Sequence, residues 1–155
     1  MGVNALVFCD CLERGGLRRL PRPEWEVYVQ SDGCRESAAR DHGAQAAFGR
    51  WHETACPHDY GILIHRLLEP AHLTALLRAR LGDALSSFPV LINRILADNR
   101  GEDCLTPGEV KQLAAELQAL RCLLADSLPV AAETMVSALE ELARTAIAVN
   151  KPLVV

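Results

Sequence analysis

The rhythm of apolar and polar positions changes along the chain, and those changes define the expected elements. Val3 to Cys9 is a β-branched and aromatic run, read as a strand. Side chains alternate faces along a strand, so Val7, Cys9 and Cys11 share one face if the strand continues that far. Gly15-Gly16 breaks the run, and Pro21 and Pro23 keep the next stretch extended. Trp25 to Gln30 alternates apolar and polar residues, the pattern of a second strand with one solvated face, and Ser31-Asp32-Gly33 ends it as a turn. From about Ser37 to Cys56 the composition favours helix, with an apolar stripe of Ala47, Phe48, Trp51 and Ala55. Ile62-Leu63-Ile64 reads as a short buried strand, central in a small sheet.

Beyond that point the pattern is helical. Pro70 precedes a helix over Ala71–Leu81 through Leu73, Leu76, Leu77 and Leu81. Another is expected from Ser87, as N-cap, through Leu91, Ile92, Ile95 and Leu96, followed by a polar loop over Asp98–Asp103. Thr106-Pro107-Gly108-Glu109 is a capping box with proline at the first helical position, and Val110, Leu113, Leu117, Leu120 and Leu124 then recur at helical spacing. The last helix covers about Ala131 to Val149, with Met135, Leu139, Leu142 and Ala146 inward, Asn150 as cap and Pro152–Val155 as an extended tail. Strands first and helices after predict an α+β fold: a small, mainly antiparallel sheet of about three strands, packed by helices, with a helical C-terminal half. No repeat or polar linker divides the chain, so residues 1–155 are expected to form a single domain.

Composition narrows the function classes. The chain is 155 residues long, 50% hydrophobic and 23% charged, enough for a real core. Its formal charge of -4 arises in the second half: residues 1–80 hold ten Arg against ten acids, residues 81–155 six Lys or Arg against ten. That acidic half argues against nucleic acid, whose binding needs clustered cations. The N-terminus lacks the basic region and the long apolar run of an export signal, Leu6 stands where a myristoylation pattern needs Ser or Thr, and no apolar stretch reaches membrane-spanning length. A cytoplasmic protein is expected, and its six cysteines read as reduced thiols. A monomer or a homodimer through one of the leucine stripes fits the pattern.

Candidate chemistry gathers in two places. Cys9-Asp10-Cys11 ends the first apolar run, and Cys56-Pro57-His58 follows the first helix. Brought together, Cys9, Cys11, Cys56 and His58 supply three thiolates and an imidazole, a common tetrahedral zinc set, with His52 and His65 as spare ligands. The same cysteines also suit ordinary packing, since free cysteines behave as small buried hydrophobes. A Cys-His nucleophile at Cys56 is disfavoured: a helix C-terminus raises a thiol pKa where catalysis needs it lowered. His42 and His72 read as solvated helix residues, and Cys104 and Cys122 as core. There is no phosphate loop, no dinucleotide fingerprint, no HExxH and no nucleophile elbow, so no catalytic residue is assigned.

Three pieces of the chain carry a resemblance: Cys9-Asp10-Cys11, Trp51-His-Glu-Thr-Ala-Cys-Pro-His58 with Gly61-Ile-Leu-Ile-His65, and the closing Asn150-Lys-Pro-Leu-Val-Val155. Together the combination resembles small bacterial proteins of the toxin-immunity type. The resemblance implies a binding role, neutralising a cognate protein toxin by occluding its active site, and it carries over no catalytic residue. The acidic half could then cover a basic cleft. Partner contacts favour aromatic anchors, which makes Trp25, Tyr28, Trp51 and Tyr60 the candidates. The alternative reading is a zinc-binding protein or zinc-dependent enzyme built on the Cys/His cluster.

Overall fold

The computed structural model describes residues 2–97, 104–124 and 127–155, and the expected loop over Asp98–Asp103 lies outside them. The first strand, β1 (Val3–Phe8), pairs antiparallel with β4 (Ile62–Leu68), joining Val3 to Leu68 and Val7 to Ile64. The C-terminal strand β6 (Leu153–Val154) lies on the other side of β1, and β5 (Cys104–Leu105) pairs with β6 at the far edge. The sheet order is therefore β4-β1-β6-β5, with every registered pair antiparallel. Ile62-Leu63-Ile64 stands at a sheet edge, not centrally as its apolar composition suggested. Half-burial, not full burial, is what an edge strand gives its side chains, and Ile62 to Ile64 are half-buried.

Between β1 and β4 the chain makes a long excursion. A one-turn helix (Pro23–Trp25) leads into β2 (Val27–Val29), which pairs with β3 (Arg35–Ser37) as a two-stranded hairpin. The expected strand from Trp25 to Gln30 is thus shortened at both ends: Glu26 adopts a left-handed conformation (φ 45°) that delays its start, and Gln30 opens the hairpin turn, its carbonyl accepting the Gly33 amide at 3.0 Å. The strand β3 takes the first residue of the stretch read as helix. Helix α1 begins only at His42 and runs to Thr54, with the Asp41 carboxylate accepting the Ala44 amide at 2.8 Å. Its stripe forms a small core: Phe48, Trp51 and Ala55 are buried against Trp25, the rings at 5.6–6.4 Å between centroids.

The larger core belongs to the sheet and the C-terminal helices. Helix α2 (Pro70–Leu81) buries Leu73 and Leu77, α3 (Pro107–Leu124) buries Val110, Leu113, Leu117, Leu120 and Leu124, and α4 (Val130–Val149) buries Met135, Val136, Leu139, Leu142 and Ala146. Helix α4 packs against α2, α3, β1, β4 and β6, so it is the spine of this half. Each fully buried leucine contributes about 1.5–3 kcal/mol of transfer free energy, which makes this layer the main source of stability. Bidentate Arg66–Glu141 bonds at 3.0 and 2.8 Å tie β4 to α4, and Arg121 ties α3 to Glu133 and Glu140 of α4. Asn150 ends α4 in the left-handed region (φ 51°) and turns the chain back into the sheet.

The segment between α2 and β5 departs most from expectation. A 3-10 stretch (Gly82–Ser87) and a π-helical turn (Leu91–Ile95) replace the helix expected from Ser87. The cap comes from elsewhere: the buried Glu116 carboxylate of α3 accepts the Val90 and Leu91 amides at 3.1 and 2.8 Å. Cys122 is exposed and Cys104 half-buried, so neither is the core residue its apolar character suggested. Among the described residues no helix is long and apolar enough to cross a membrane.

Candidate metal centre

The excursion leaves and re-enters the sheet at one place, and the chemistry-bearing residues stand there. The end of β1 delivers Cys9 and Cys11. The end of α1 delivers Cys56 and His58, and Gly61 closes the circuit with its carbonyl on the Cys9 amide at 2.7 Å. Gly61 has φ +72°, a conformation open to glycine, and it lets the chain turn straight from His58 into β4. The strand does not continue to Cys11, which sits in the following turn, yet Cys9 and Cys11 still converge on one point.

One sulfur or nitrogen atom from each of Cys9, Cys11, Cys56 and His58 lies within 4.8 Å of all the others. Cys9 Sγ is 3.7 Å from Cys56 Sγ, and Cys11 Sγ is 3.5 Å from His58 Nδ1. A disulfide needs about 2.05 Å; all six cysteines are free thiols. Cys9 and Cys56 are buried, Cys11 and His58 half-buried. Three sulfurs and an imidazole converging on one point form a group that could hold a metal ion. Its residues are the four expected from the sequence.

The electrostatics are unequal. Burial pushes the Cys9 thiol up, and burial together with the Cys9 sulfur pushes Cys11 up to about 12. Burial also acts to raise Cys56, but the backbone at His58 and the Arg35 guanidinium outweigh it and hold this thiol below its ordinary value. The Cys56 thiol is thus lowered, not raised as its place after a helix C-terminus suggested, first by the His58 backbone and then by the Arg35 guanidinium. Nothing in the sequence marks Arg35 for this role, since it lies in a polar stretch between the expected second strand and first helix.

The remaining candidates lie outside the cluster. His65 is exposed on β4 and bonds Asn4 at 3.0 Å. His52 stacks on Phe48 with centroids 5.4 Å apart and meets Tyr60 edge-on, while burial and Arg35 lower its pKa. Neither is a spare ligand in this arrangement. His42 and His72 are exposed, as read. Trp25 and Trp51 are both 5% exposed and pack with Phe48 and Ala55 in the small core, so little of either ring reaches the surface. Tyr28 and Tyr60 are about half exposed and do reach the surface. No family model, curated protein or solved structure matches this chain.

Proposed function

We propose that this protein binds one zinc ion through Cys9, Cys11, Cys56 and His58, and that the ion is structural. The observation that carries the reading is the spacing of the donor atoms. Tetrahedral zinc with Zn–S of about 2.3 Å and Zn–N of about 2.0–2.1 Å separates two sulfurs by about 3.8 Å and a sulfur from a nitrogen by about 3.6 Å. The pairs Cys9–Cys56 and Cys11–His58 stand at 3.7 and 3.5 Å, and the other four pairs lie within 4.8 Å. Soft thiolate donors favour zinc over the hard oxygen-seeking cations. Four protein ligands leave no open position for a substrate or an activated water, which supports a structural site over a hydrolytic one.

The role follows from the position. Cross-linking residues 47 apart in sequence removes on the order of 4 kcal/mol of entropy from the unfolded chain. The gain falls on the excursion, whose own core is small. The test is elemental analysis of protein purified without added metal, with a chelator titration followed by far-ultraviolet circular dichroism. One zinc per chain and a loss of structure on chelation are expected. Less than half an equivalent, with folding indifferent to the chelator, overturns the proposal.

The partner-binding reading keeps one supporting observation: Tyr28 and Tyr60, the two exposed tyrosines, both lie on the excursion that the ion would hold in place. Beside Tyr60 runs an open groove of about 790 Å³, lined by His58, Asp59, Tyr60, His65, Arg66 and Glu141 among others. On this reading the protein neutralises a toxin through that face. Co-expression with the product of the neighbouring gene tests it: a neighbour that is harmless alone, or equally toxic with this protein present, sinks it.

A further inference from the structure

The Cys3His group is anionic whenever it holds a divalent ion, since three thiolates against two positive charges leave one negative charge in a buried place. Such a charge is costly without a partner. The only cation the described structure brings to the cluster's sulfurs is Arg35, from β3 of the hairpin. Its residue is 3% exposed, and its Nη2 donates to Cys56 Sγ at 3.4 Å. The guanidinium is confined on two sides. Its carbon lies 5.6 Å from the centroid of the Trp51 ring, and Gly61 lies so close that a Cβ there would stand 2.5 Å from Nη2. Nη1 is buried with no hydrogen-bond partner. A guanidinium so enclosed, with one nitrogen unpartnered, carries a desolvation cost that the Trp51 face offsets in part and that a negative group at the cluster would offset further.

We propose that Arg35 is the positioning residue and counter-charge of the metal centre: it donates to the Cys56 sulfur, neutralises the metal-thiolate charge and couples metal binding to the hairpin. This rests on the zinc reading above and deepens it. An N–H···S bond withdraws electron density from one thiolate and fixes the direction of its lone pairs, as outer partners do at other metal sites. Because Arg35 belongs to β3 and lies over Trp51 of α1, the same contact links the centre to both elements of the excursion.

The experiment compares the full-length protein with R35M, R35Q and R35K. Each is loaded with Co²⁺ as a spectroscopic probe, and zinc affinity is measured by competition with a chromophoric chelator. Wild type is expected to bind one equivalent with tetrahedral cobalt absorption. R35M, with neither charge nor donor, is expected to lose about 10- to 100-fold in zinc affinity and to shift the sulfur-to-cobalt charge-transfer band. R35Q, a neutral donor, recovers part of the band position but not the affinity. R35K recovers part of the affinity. The melting temperature of each metal-free variant separates this from simple packing, because a counter-charge role weakens the loaded form far more than the metal-free one. Equal destabilisation of both forms, or wild-type affinity in folded R35M, overturns the proposal and leaves the zinc site intact. Failure of the wild type itself to bind cobalt or zinc overturns the zinc reading instead.

Discussion

The Cys9 amide donates to the Gly61 carbonyl at 2.7 Å, and with that bond the two ends of the excursion become neighbours. The segment from Asp10 to Tyr60 leaves and returns through this neck, where the four metal-capable side chains converge, and it is tied to the rest again where Glu13 pairs with Lys151 and the Cys104 thiol donates to the Ser31 carbonyl. The C-terminal layer needs no such closure, since its core is built from leucines of α2, α3 and α4. Stripping the metal should therefore loosen one half only. Hydrogen exchange with and without a chelator is expected to show amides of β2, β3 and α1 losing protection while those of α3 and α4 keep theirs. Uniform loss across both halves would show that the neck supports the whole molecule.

Gly61 is constrained twice over. Its φ of +72° disfavours any L side chain, and a Cβ would press on the Arg35 guanidinium at 2.5 Å. Gly61→Ala is expected to destabilise the protein by about 1–3 kcal/mol from backbone strain. It should also weaken metal retention, because the displaced guanidinium leaves Cys56. Gly49→Ala is the matched control: it sits in α1 with nothing within 4 Å of its Cβ position, and it should gain stability slightly. Chelator competition and urea denaturation of both variants check this. Unchanged metal affinity in Gly61→Ala separates the glycine from the centre.

How much of this was legible follows from how local each signal is. The capping box and the leucine stripes of α3 and α4 act within a few residues, and the structure follows them closely. The four candidate ligands were readable because sulfur and imidazole are rare and chemically marked. Their meeting was not, because it depends on β1 and β4 pairing across the excursion. The strands β3 and β5 span three and two residues, too short for any periodicity to register. Trp51 exposes an inconsistency in reading by residue type. As an aromatic it suggested a surface anchor, while its place beside Phe48 and Ala55 on one helical stripe already pointed inward, and the stripe was the better guide.

Glu116 carried a signal that went unused. It falls between Leu113, Leu117 and Leu120 on the buried stripe of α3, where a carboxylate needs partners. The partners are the Val90 and Leu91 amides at the start of the π-helical turn, with Gln112 Nε2 donating at 3.1 Å. Glu116→Ala should leave two buried amides unpaired and cost about 3 kcal/mol. Glu116→Gln keeps the volume and one acceptor, so its cost should be smaller. Urea denaturation ranks the two. A Glu116→Ala variant as stable as wild type would mean the segment around Val90 finds other partners.

Acid should weaken the capping box that opens α3. The Thr106 amide donates to Glu109 Oε2 at 2.8 Å and the Thr106 hydroxyl does so at 2.9 Å, while Arg94 pairs with Oε1 at 3.5 Å. The Thr106 amide, opposed by partial burial and aided by the hydroxyl and Arg94, holds the Glu109 carboxyl below the usual range. A carboxyl depressed in the folded state stabilises that state above its unfolded pKa of about 4.3, and this contribution is lost as pH falls through the folded value. Glu109→Gln should therefore be less stable than wild type at pH 7, by about 1 kcal/mol or less for an exposed cap. The two should converge on acidification below about pH 4. Urea midpoints for both proteins at pH 7 and pH 3.5 read the difference directly. Comparing them at matched metal loading keeps the Cys/His centre out of the result, and a gap that stays constant with pH would mean the capping box works through shape, not charge.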